Sequence, residues 1–510
     1  MTPESLARAL SDFLAGARDA LVIESGEEVF DFSTARYSVS ADRGRCLLHL
    51  WSEQRNTVVR VLEAEESRGT LRLSVQRFGQ SRPARMEILR DRDRRPPAAR
   101  PAARSAYRQR LRRILERNFP DLRTTALTSA MDLERSFGPV YARGMLRRGR
   151  SAFAVLGVNA SETQAAVDGA LTFGLLWLDH LRRREAARLV IEGLKLFVPA
   201  GRGTIVRERM AHLDRTAARF QLFEVNERDA TLDELDTGDR GNVATRLVRC
   251  VDESTTRLRF AAIERVLALV PEAEVKVLSS AEVSFRLHGL EFARARSAPG
   301  EGFRAEEQVV FGIAPEETVL TAETEARFVA LAQAIAATRS PAGPRDHPLW
   351  RMQPERWLES LVARDVSALD TRLDPACVYS QVPAFAAGDR AMIDVLAATR
   401  EGRLAVLELK AGEDIHLPLQ GLDYWARVVW HHQRGEFRQF GYFAGRELSA
   451  EPPLLLLVAP ALHVHPATDV LLRYLAPEID CTLLGIDERW RDGVRVIFRK
   501  RKTPATDSHG

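Results

Sequence analysis

Two short apolar runs that enclose three charges constrain this chain more than any other feature. The runs AMIDVLAAT (residues 391–399) and RLAVLEL (residues 403–409) are rich in Val, Ile and Leu and are separated by Arg400, Glu401 and Gly402. Apolar runs of this length, split by a turn-like segment, predict a β-hairpin. Such strands bury most of their side chains, so any charge within them needs a partner or a ligand.

The three charges in the predicted hairpin are Asp394, Glu408 and Lys410. Glu408 and Lys410 are two residues apart, so on one strand they point to the same face, and Asp394 lies on the neighbouring strand within reach. Two carboxylates and one ammonium are the composition of a divalent-metal site, because Mg²⁺ prefers oxygen ligands and its open positions suit phosphate. A structural ion pair is the alternative interpretation of these three residues alone.

The residues that follow the hairpin add a second pattern. Residues 417–434 predict a helix that opens with Pro418, which the first helical turn tolerates. Gln420 and Tyr424 are one turn apart and share a face of that helix. Asp394, then Glu408-Leu409-Lys410, then Gln420-Gly421-Leu422-Asp423-Tyr424 together resemble the motifs of the PD-(D/E)XK nuclease superfamily, specifically its RecB-like branch. Ile393 stands where many members have proline, a departure that is common in that branch.

The predicted order of elements in residues 354–502 also resembles that superfamily. The order reads helix, three strands, helix, strand, helix, strand, strand, and the superfamily core is a helix, three strands, a helix and a strand. The resemblance covers only this last third of the chain. It implies Mg²⁺- or Mn²⁺-dependent phosphodiester hydrolysis in which Asp394, Glu408 and Lys410 are catalytic.

The resemblance also implies roles for residues around these three. The metal ligands would be Asp394, Glu408, the Leu409 carbonyl and a glutamate of the first helix, for which Glu359 is the first choice and Glu355 the second. Gln420 and Tyr424 would orient the substrate strand or support Lys410. His431 and His432, near the end of the same helix, are interpreted as structural.

The predicted fold class is multidomain α/β, because 510 residues exceed what one core accommodates. Residues 1–90 read as a helix plus a β-rich module, and residues 91–106 as an Arg/Pro/Ala linker. Residues 107–340 alternate strand and helix signals, which predicts an α/β middle region of unknown role. Residues 346–502 are the nuclease-like domain, with a restriction-endonuclease-like α/β core.

Within the middle region, SAFAVLGV predicts a strand, and residues 161–184 predict a long helix with Ser161 as its N-cap. Glu192 and Lys195, on the next predicted strand, raise the idea of a second, degenerate nuclease unit. Their spacing of three would place them on opposite faces of a regular strand, so they do not indicate a second site.

The distribution of charge bears on partners. The net charge is only +4, but residues 90–117 contain eleven Arg against three acids, a difference of +8. Residues 347–502 contain 20 basic and 21 acidic side chains, a difference of −1, so this domain would bind nucleic acid weakly by itself. We therefore expect the Arg-rich segments, or a partner protein, to supply phosphate affinity; a solvated helix face is the alternative for those segments.

Other classes of protein are disfavoured. The four cysteines are far apart and form no CxxC pair, so neither a zinc site nor a disulfide framework is predicted. The amino-terminal segment reads as an amphipathic helix rather than a signal peptide, and no apolar run is long enough to span a bilayer. The expectation is a soluble cytoplasmic protein without a membrane partner.

The sequence thus predicts a metal-dependent nuclease acting on DNA rather than RNA, in repair or anti-phage defence. One alternative is a non-catalytic module that uses a nuclease fold to bind nucleic acid or a protein. The other is a scaffold in which Asp394, Glu408 and Lys410 form a structural network.

Overall fold

The computed structural model describes residues 2–503, with gaps. The gaps are residues 16–19, 25–26, 33–35, 43, 52–55, 68–69, 78–82, 91–98, 133–134, 227–228, 242, 244, 300–304, 314–316 and 387–388. Half of the predicted linker, residues 91–98, therefore lies outside the described residues.

The protein is mixed α/β, as predicted, and its strands form several separate sheets. The helices are α1 (Pro3–Ala15), α2 (Ala99–Asn118), α3 (Gln164–Asp168), α4 (Ala170–Glu185), α5 (Thr204–Met210), α6 (Glu253–Arg259), α7 (Ala261–Leu269), α8 (Glu325–Thr338), α9 (Pro348–Arg351), α10 (Pro354–Arg364), α11 (Leu417–Gln433), α12 (Glu436–Gln439) and α13 (Thr468–Arg473).

The strands of the first half are β1 (Leu21–Glu24), β2 (Glu27–Asp31), β3 (Arg36–Asp42), β4 (Arg45–Trp51), β5 (Asn56–Ser67), β6 (Thr70–Arg77), β7 (Ala84–Leu89), β8 (Arg123–Thr128), β9 (Tyr141–Arg148), β10 (Ser151–Val158), β11 (Val190–Pro199), β12 (Arg219–Asn226) and β13 (Thr231–Leu235). Those of the second half are β14 (Thr245–Leu247), β15 (Glu274–Ser279), β16 (Glu282–Leu287), β17 (Leu290–Pro299), β18 (Ala305–Phe311), β19 (Thr318–Val319), β20 (Leu373–Ala386), β21 (Asp389–Thr399), β22 (Leu404–Leu409), β23 (Leu454–Pro460), β24 (Cys481–Ile486) and β25 (Val496–Arg501).

The amino-terminal part is a helix on an antiparallel sheet. Strands β1–β7 form a seven-stranded sheet in the order β2-β1-β7-β6-β5-β4-β3, and α1 packs against it. Leu6, Leu10 and Phe13 recur every three or four residues, so they share one face of α1 and meet alternate inward side chains of the strands. The described part of residues 1–90 thus contains one helix and seven strands.

Helix α2 begins earlier than the sequence interpretation allowed. It starts at Ala99, within the stretch predicted as linker, and continues to Asn118. Ala and Arg are strong helix formers, and Pro101 lies in the first turn, where its missing N–H costs no hydrogen bond. The extended linker was therefore predicted too long at its carboxyl end.

The middle unit, defined here as residues 99–235, is built on one mixed sheet. Its strand order is β13-β12-β11-β10-β9-β8. Strands β8, β9 and β10 are antiparallel neighbours, β10, β11 and β12 run parallel, and β13 is antiparallel to β12. Helix α4 connects β10 to β11, and α5 connects β11 to β12, as parallel neighbours require.

The C-terminal unit, defined here as residues 354–501, repeats this arrangement element by element. Its strands follow the order β25-β24-β23-β22-β21-β20, with β14 added beyond β20. The senses are again antiparallel for β20–β21 and β21–β22, parallel for β22–β23 and β23–β24, and antiparallel for β24–β25. Helices α10, α11 and α13 stand where α2, α4 and α5 stand in the middle unit.

The two units share a core. Each sheet is covered on one face by a helix of its own: α2 packs on the middle sheet and α10 on the C-terminal sheet. The opposite faces of the two sheets, together with α4, α5, α11 and α13, enclose a single hydrophobic cluster. The four helices are therefore a shared layer between two sheets.

A further sheet stands beside the C-terminal unit. Strands β15–β19 form it in sequence order and pack with α7 and α8 around a separate core. Two partly buried cations connect it to the C-terminal unit. Lys276 donates to the Ser380 carbonyl at 2.7 Å, and Arg286 donates to the Gln381 side chain at 3.2 Å.

Two details of the middle unit correct the sequence interpretation. The helix predicted at residues 161–184 is two helices, α3 and α4, and its N-cap is Thr163 rather than Ser161, because the Thr163 hydroxyl accepts the Ala166 N–H. Strand β11 is not regular, since the register with β10 shifts between Ile191 and Gly193 and leaves Glu192 in a bulge. The alternation argument for Glu192 and Lys195 was therefore wrong in its premise.

Candidate functional site

The predicted hairpin is confirmed, and its open end carries the site. Strands β21 and β22 pair from Ala398 with Leu404 to Val395 with Leu407, and Gly402 takes the left-handed conformation that the turn requires (φ +84°). Continuing the register would place Asp394 opposite Glu408. The ladder ends there instead, and the Asp394 carboxylate accepts the Leu409 N–H at 3.0 Å.

The other edge of β22 stays in the sheet at this point. The Lys410 N–H donates to the Val458 carbonyl at 2.9 Å, as the parallel pairing with β23 requires. The N–H and C=O of one strand residue point to the same side, so the Leu409 carbonyl faces the side where Asp394 lies. That orientation is what its predicted role as a ligand needs.

Glu408 and Lys410 form a close pair beside Asp394. The Lys410 ammonium lies 3.3 Å from Glu408 Oε1 and 3.6 Å from Asp414. Glu408 is 2% exposed, and its second oxygen, Oε2, is buried and has no hydrogen-bond partner among the described residues. A buried carboxylate oxygen without a donor is costly and is the kind of atom that a cation would satisfy.

The electrostatics follow from this crowding. Burial and the negative charge of Glu359 raise the pKa of Asp394 to about 6. Burial and the nearby Asp394 raise the pKa of Glu408 well above its usual value. Burial alone would lower the pKa of Lys410, but Glu408, Asp414 and Asp394 outweigh it and raise that pKa. The carboxylates exceed the ammonium in number, so the site has room for added positive charge.

Glu359, the predicted third carboxylate, faces the same region, but both of its oxygens already accept hydrogen bonds. It lies on α10, is 4% exposed, and is close enough to Asp394 to raise the pKa of that residue. Its Oε2 accepts from Arg356 at 2.7 Å and its Oε1 from Gln381 at 2.9 Å. The second choice, Glu355, lies near Arg491. Glu359 is therefore the glutamate of α10 that could act here, if its partners yield an oxygen.

Gln381 is a residue that sequence reasoning missed. Strand β20 pairs with β21 at Ser380–Val395 and at Val382–Ile393, so Gln381 is opposite Asp394 in the register. Its φ of +55° is rare for a residue with a side chain and costs conformational energy. The amide donates to Glu359 and accepts from Arg286. Nothing in VYSQVPAF signals a left-handed residue.

Helix α11 is present as predicted and approaches the site closely. A Cβ at Gly421 would lie 2.5 Å from Leu457 Cδ2 and 3.6 Å from the Glu408 Cβ, so glycine lets the helix press onto β22 and β23. Gln420, next to it, has a buried Oε1 that accepts no hydrogen bond from the part of the chain that the structure describes. Burial and the charges of Glu408 and Asp394 raise the pKa of Tyr424 well above its usual value, which places its hydroxyl near both carboxylates.

The two histidines of α11 lie elsewhere. His431 is buried, pairs with Glu436, and lies 2.9 Å from the Thr245 hydroxyl. His432 contacts the Ser449 carbonyl at 2.8 Å. Both rings thus tie α11 to neighbouring segments.

The described residues contain no group of three or more His, Cys, Asp and Glu side chains arranged to hold a metal ion. Both carboxylate oxygens of Glu359 accept hydrogen bonds, from Arg356 and Gln381. Asp394, Glu408 and the Leu409 carbonyl nevertheless suit a hard divalent cation, because all are oxygen ligands and the two carboxylates repel each other. In addition, Glu408 Oε2 receives no hydrogen bond from any residue that the structure describes.

The chain matches no protein-family model, no curated protein and no solved structure. Among the helices of the described residues, none is both long and apolar enough to cross a bilayer.

Proposed function

We propose that this protein is a metal-dependent nuclease that hydrolyses phosphodiester bonds, in DNA rather than RNA. The observation that carries the proposal is the cluster of Asp394, Glu408 and Lys410 at the open end of the hairpin. Burying charges is expensive, and no described residue donates a hydrogen bond to Glu408 Oε2. A purely structural ion network would satisfy its own acceptors, so the cluster favours a site that receives a ligand.

The C-terminal unit has the element order of the PD-(D/E)XK core that the motifs resemble. Its helix, three antiparallel strands, helix and parallel strand are α10, β20–β22, α11 and β23. The motif residues lie where β21 and β22 separate and where α11 crosses them. Topology and motif placement together support a restriction-endonuclease-like core, and the RecB-like motif favours DNA as the substrate.

The residues of the chain have distinct tasks in this mechanism. Asp394, Glu408 and the Leu409 carbonyl would hold Mg²⁺ or Mn²⁺, with Glu359 joining if Arg356 releases it. The chemistry supplied by the bound ion is activation of water and polarisation of a phosphate oxygen. Lys410 stays protonated beside Glu408 and offsets negative charge that grows on the phosphate. Tyr424 keeps its proton and can donate to the substrate, and Gln420 offers an unpaired amide oxygen.

Cleavage assays with isosteric variants test the proposal. Wild type, Asp394→Asn and Glu408→Gln would be incubated with linear and circular DNA, single- and double-stranded, with Mg²⁺ or Mn²⁺ and with EDTA. We expect metal-dependent cutting by wild type and a loss of at least about 10²-fold in both variants. Asp469→Asn, a half-exposed acid of the same unit that pairs with Lys500, is the matched control and keeps full activity.

The outcomes separate the three interpretations. Cutting that both variants lose supports the nuclease. DNA binding without cutting under every metal condition favours the non-catalytic binding module. If wild type neither cuts DNA nor binds Mn²⁺, the charges form a structural network and the proposal is wrong.

We further propose that the middle unit supplies much of the affinity for the phosphate backbone. Residues 99–235 hold 24 basic and 16 acidic side chains, a difference of +8, whereas residues 354–501 hold 18 and 21, a difference of −3. Arg112, Arg113 and Arg117 are exposed on α2. Arg123 and Arg147 are direct neighbours across β8 and β9, an arrangement of like charges that an anion would relieve.

Salt-dependent binding tests this assignment. The triple variant Arg112→Gln, Arg113→Gln, Arg117→Gln would be compared in EDTA with a control triple of exposed C-terminal arginines, Arg438→Gln, Arg489→Gln, Arg501→Gln. Each lost phosphate contact should lower the slope of log K against log salt by about 1. A larger decrease of this slope in the control triple would show that the C-terminal unit itself binds the phosphate backbone.

A further inference from the structure

The repeated strand order allows the two units to be compared residue by residue. One glycine of each central helix gives the anchor: Gly174 of α4 and Gly421 of α11 have no room for a Cβ. Each is pressed by two leucines of the following parallel strand. A Cβ on Gly174 would meet Leu194 and Leu196, and one on Gly421 would meet Leu455 and Leu457. The same contact at the same place in both units makes these residues equivalent.

The strand registers extend this equivalence to the site. With Leu196 matched to Leu457, Phe197 matches Val458; their partners on the next strand are Gly157 and Leu409. The motif Glu408-Leu409-Lys410 therefore corresponds to residues 156–158. Leu407 then corresponds to Val155. Their partners on the neighbouring antiparallel strand are Val395 and Gly144, so these two residues also correspond.

The site of the C-terminal unit is absent at the corresponding positions of the middle unit. Each acid, ammonium or hydroxyl has a different counterpart: Arg143 for Asp394, Leu156 for Glu408, Val158 for Lys410 and Trp177 for Tyr424. Arg143 donates to the Gly138 and Ala130 carbonyls and lies 5.8 Å from the Trp177 ring. Asp394 lies near Tyr424 in the C-terminal unit, and Arg143 lies near Trp177 in the middle unit. This agreement supports the match, but none of the four matching positions of the middle unit carries a carboxylate.

The two units meet about a local pseudo-twofold axis. Leu213, after α5, forms an antiparallel bridge with Leu475, after α13. The Asp214 N–H donates to the Tyr474 carbonyl at 2.8 Å, and the Ala476 N–H donates to the His212 carbonyl at 2.9 Å. A rotation that places each unit on the other converts one of these hydrogen bonds into the other, because His212 corresponds to Tyr474 and Asp214 to Ala476. The helices cross in the same way, α5 against α11 and α13 against α4.

We propose that the chain is an internal pseudo-dimer in which one site-bearing unit is paired with one site-less copy, so that a single chain cuts one strand of a duplex per encounter. This inference rests on the proposed nuclease function. The helical faces through which two such units pair are covered within one chain by the shared core. A second chain is therefore not needed to complete the arrangement, and each molecule brings one site to the duplex.

Supercoiled circular DNA tests the inference with the full chain. With DNA in excess and Mg²⁺ or Mn²⁺ present, we expect open circles to accumulate first and linear molecules to appear only later, from independent second cuts. The rate should be first order in protein. Linear DNA formed in one step, or a rate second order in protein, would overturn the inference while leaving the nuclease function in place.

A mixing experiment excludes a hidden second chain. Wild type would be mixed with excess Asp394→Asn, and separately with excess Lys410→Ala in case one variant folds poorly. The rate per wild-type chain should stay unchanged, because no chain depends on another. A fall in proportion to the inactive fraction would overturn the inference. Absence of any cleavage by wild type would overturn the proposed function, and this inference with it.

Discussion

The middle unit and the C-terminal unit share one strand order and one set of crossing helices, but only the C-terminal unit gathers acids where its central strands separate. At that point the C-terminal unit buries Glu408 and partly buries Asp394, both beside Lys410. The middle unit has Leu156 and Val158 there, both buried and apolar. The fold therefore does not require the charges, because the same frame is built with hydrophobic residues in their place.

This difference explains why the charges point to function. Apolar side chains at such positions stabilise the fold, whereas buried carboxylates cost free energy unless something binds them. A unit that retains the costly arrangement sacrifices stability for a site. The net charges differ in the opposite sense, with the site-less unit basic and the site-bearing unit slightly acidic. This difference in charge agrees with the proposal that one unit holds the nucleic acid and the other cuts it.

The largest expected effect is the difference in cleavage between a variant of Lys410 in the C-terminal unit and a variant of Lys195 in the middle unit. Lys410→Ala should reduce metal-dependent cleavage by about 10³-fold, because it removes the positive charge beside the reacting phosphate. Lys195→Ala is the matched control: Lys195 is the only lysine in residues 99–235 and lies over the rings of Phe119 and Phe153. It should keep its activity. Equal losses in single-turnover cleavage would remove the distinction between the units.

The next effect concerns two arginines that join the units. Arg209 of α5 is buried and donates to Asp423 of α11 at 2.9 and 2.7 Å. Arg209→Ala would leave Asp423, whose side chain is 16% exposed, without its arginine and should lower the free energy of unfolding by about 3 kcal/mol. Arg473 of α13 pairs with Asp179 of α4 at 3.1 Å but is half-exposed, so Arg473→Ala should cost about 0–1 kcal/mol. Urea unfolding measures both, and similar values would contradict the argument from burial.

The third prediction uses pH to probe the pseudo-twofold contact. Burial, with Arg240, lowers the pKa of His212 to about 4 in the folded protein. The unfolded chain has the usual value of about 6.5, so it binds a proton first as the pH falls. The stability that His212 contributes is complete above about pH 6.5 and declines as the pH falls toward about 4, by about 2 kcal/mol at about pH 5.

A pair of variants isolates that contribution. Asp168, whose pKa burial raises to about 6, acts in the opposite direction over part of this range, so the comparison must be between variants. His212→Gln should flatten the fall in unfolding free energy between about pH 7.5 and about pH 5. Tyr474→Phe, at the matching position of the other unit, should leave the fall unchanged. If His212→Gln keeps the wild-type change of unfolding free energy with pH, other groups cause that change.

The smallest expected effect tests the residue equivalence itself. Gly174→Ala and Gly421→Ala both force a methyl group against leucines, at 2.8 and 2.5 Å, and each should cost about 1 kcal/mol after the gain in helix propensity. Thermal unfolding should give similar values for the two. Only Gly421→Ala should also lower cleavage, since it displaces Gln420 and Tyr424 from Glu408. Reduced cleavage in Gly174→Ala would contradict the assignment of a site-less unit.

Much of the C-terminal unit was predictable because its signals are local. The hairpin of β21 and β22 follows from two apolar runs and a turn, and α11 follows from a Pro-led periodic segment. The nearness of Asp394 and Glu408 follows from the pairing of the hairpin strands, whereas the placement of Tyr424 beside them was implied only by the family resemblance. The role of these residues in catalysis, and the domain boundaries, remain predictions.

Tertiary structure alone decided the rest. The repeat of one topology in two units cannot be recognised from the site motif, because Arg143 and Leu156 stand where the other unit has Asp394 and Glu408. The shared fold needs only buried apolar faces of the right period. The pairing of Glu359 with Arg356 and the left-handed Gln381 depend on how α10, β20 and the β15–β19 sheet pack. The sequence determined where charges enter the core, since alternation is local. Which charges meet, and which unit carries them, depended on contacts between residues far apart in the chain.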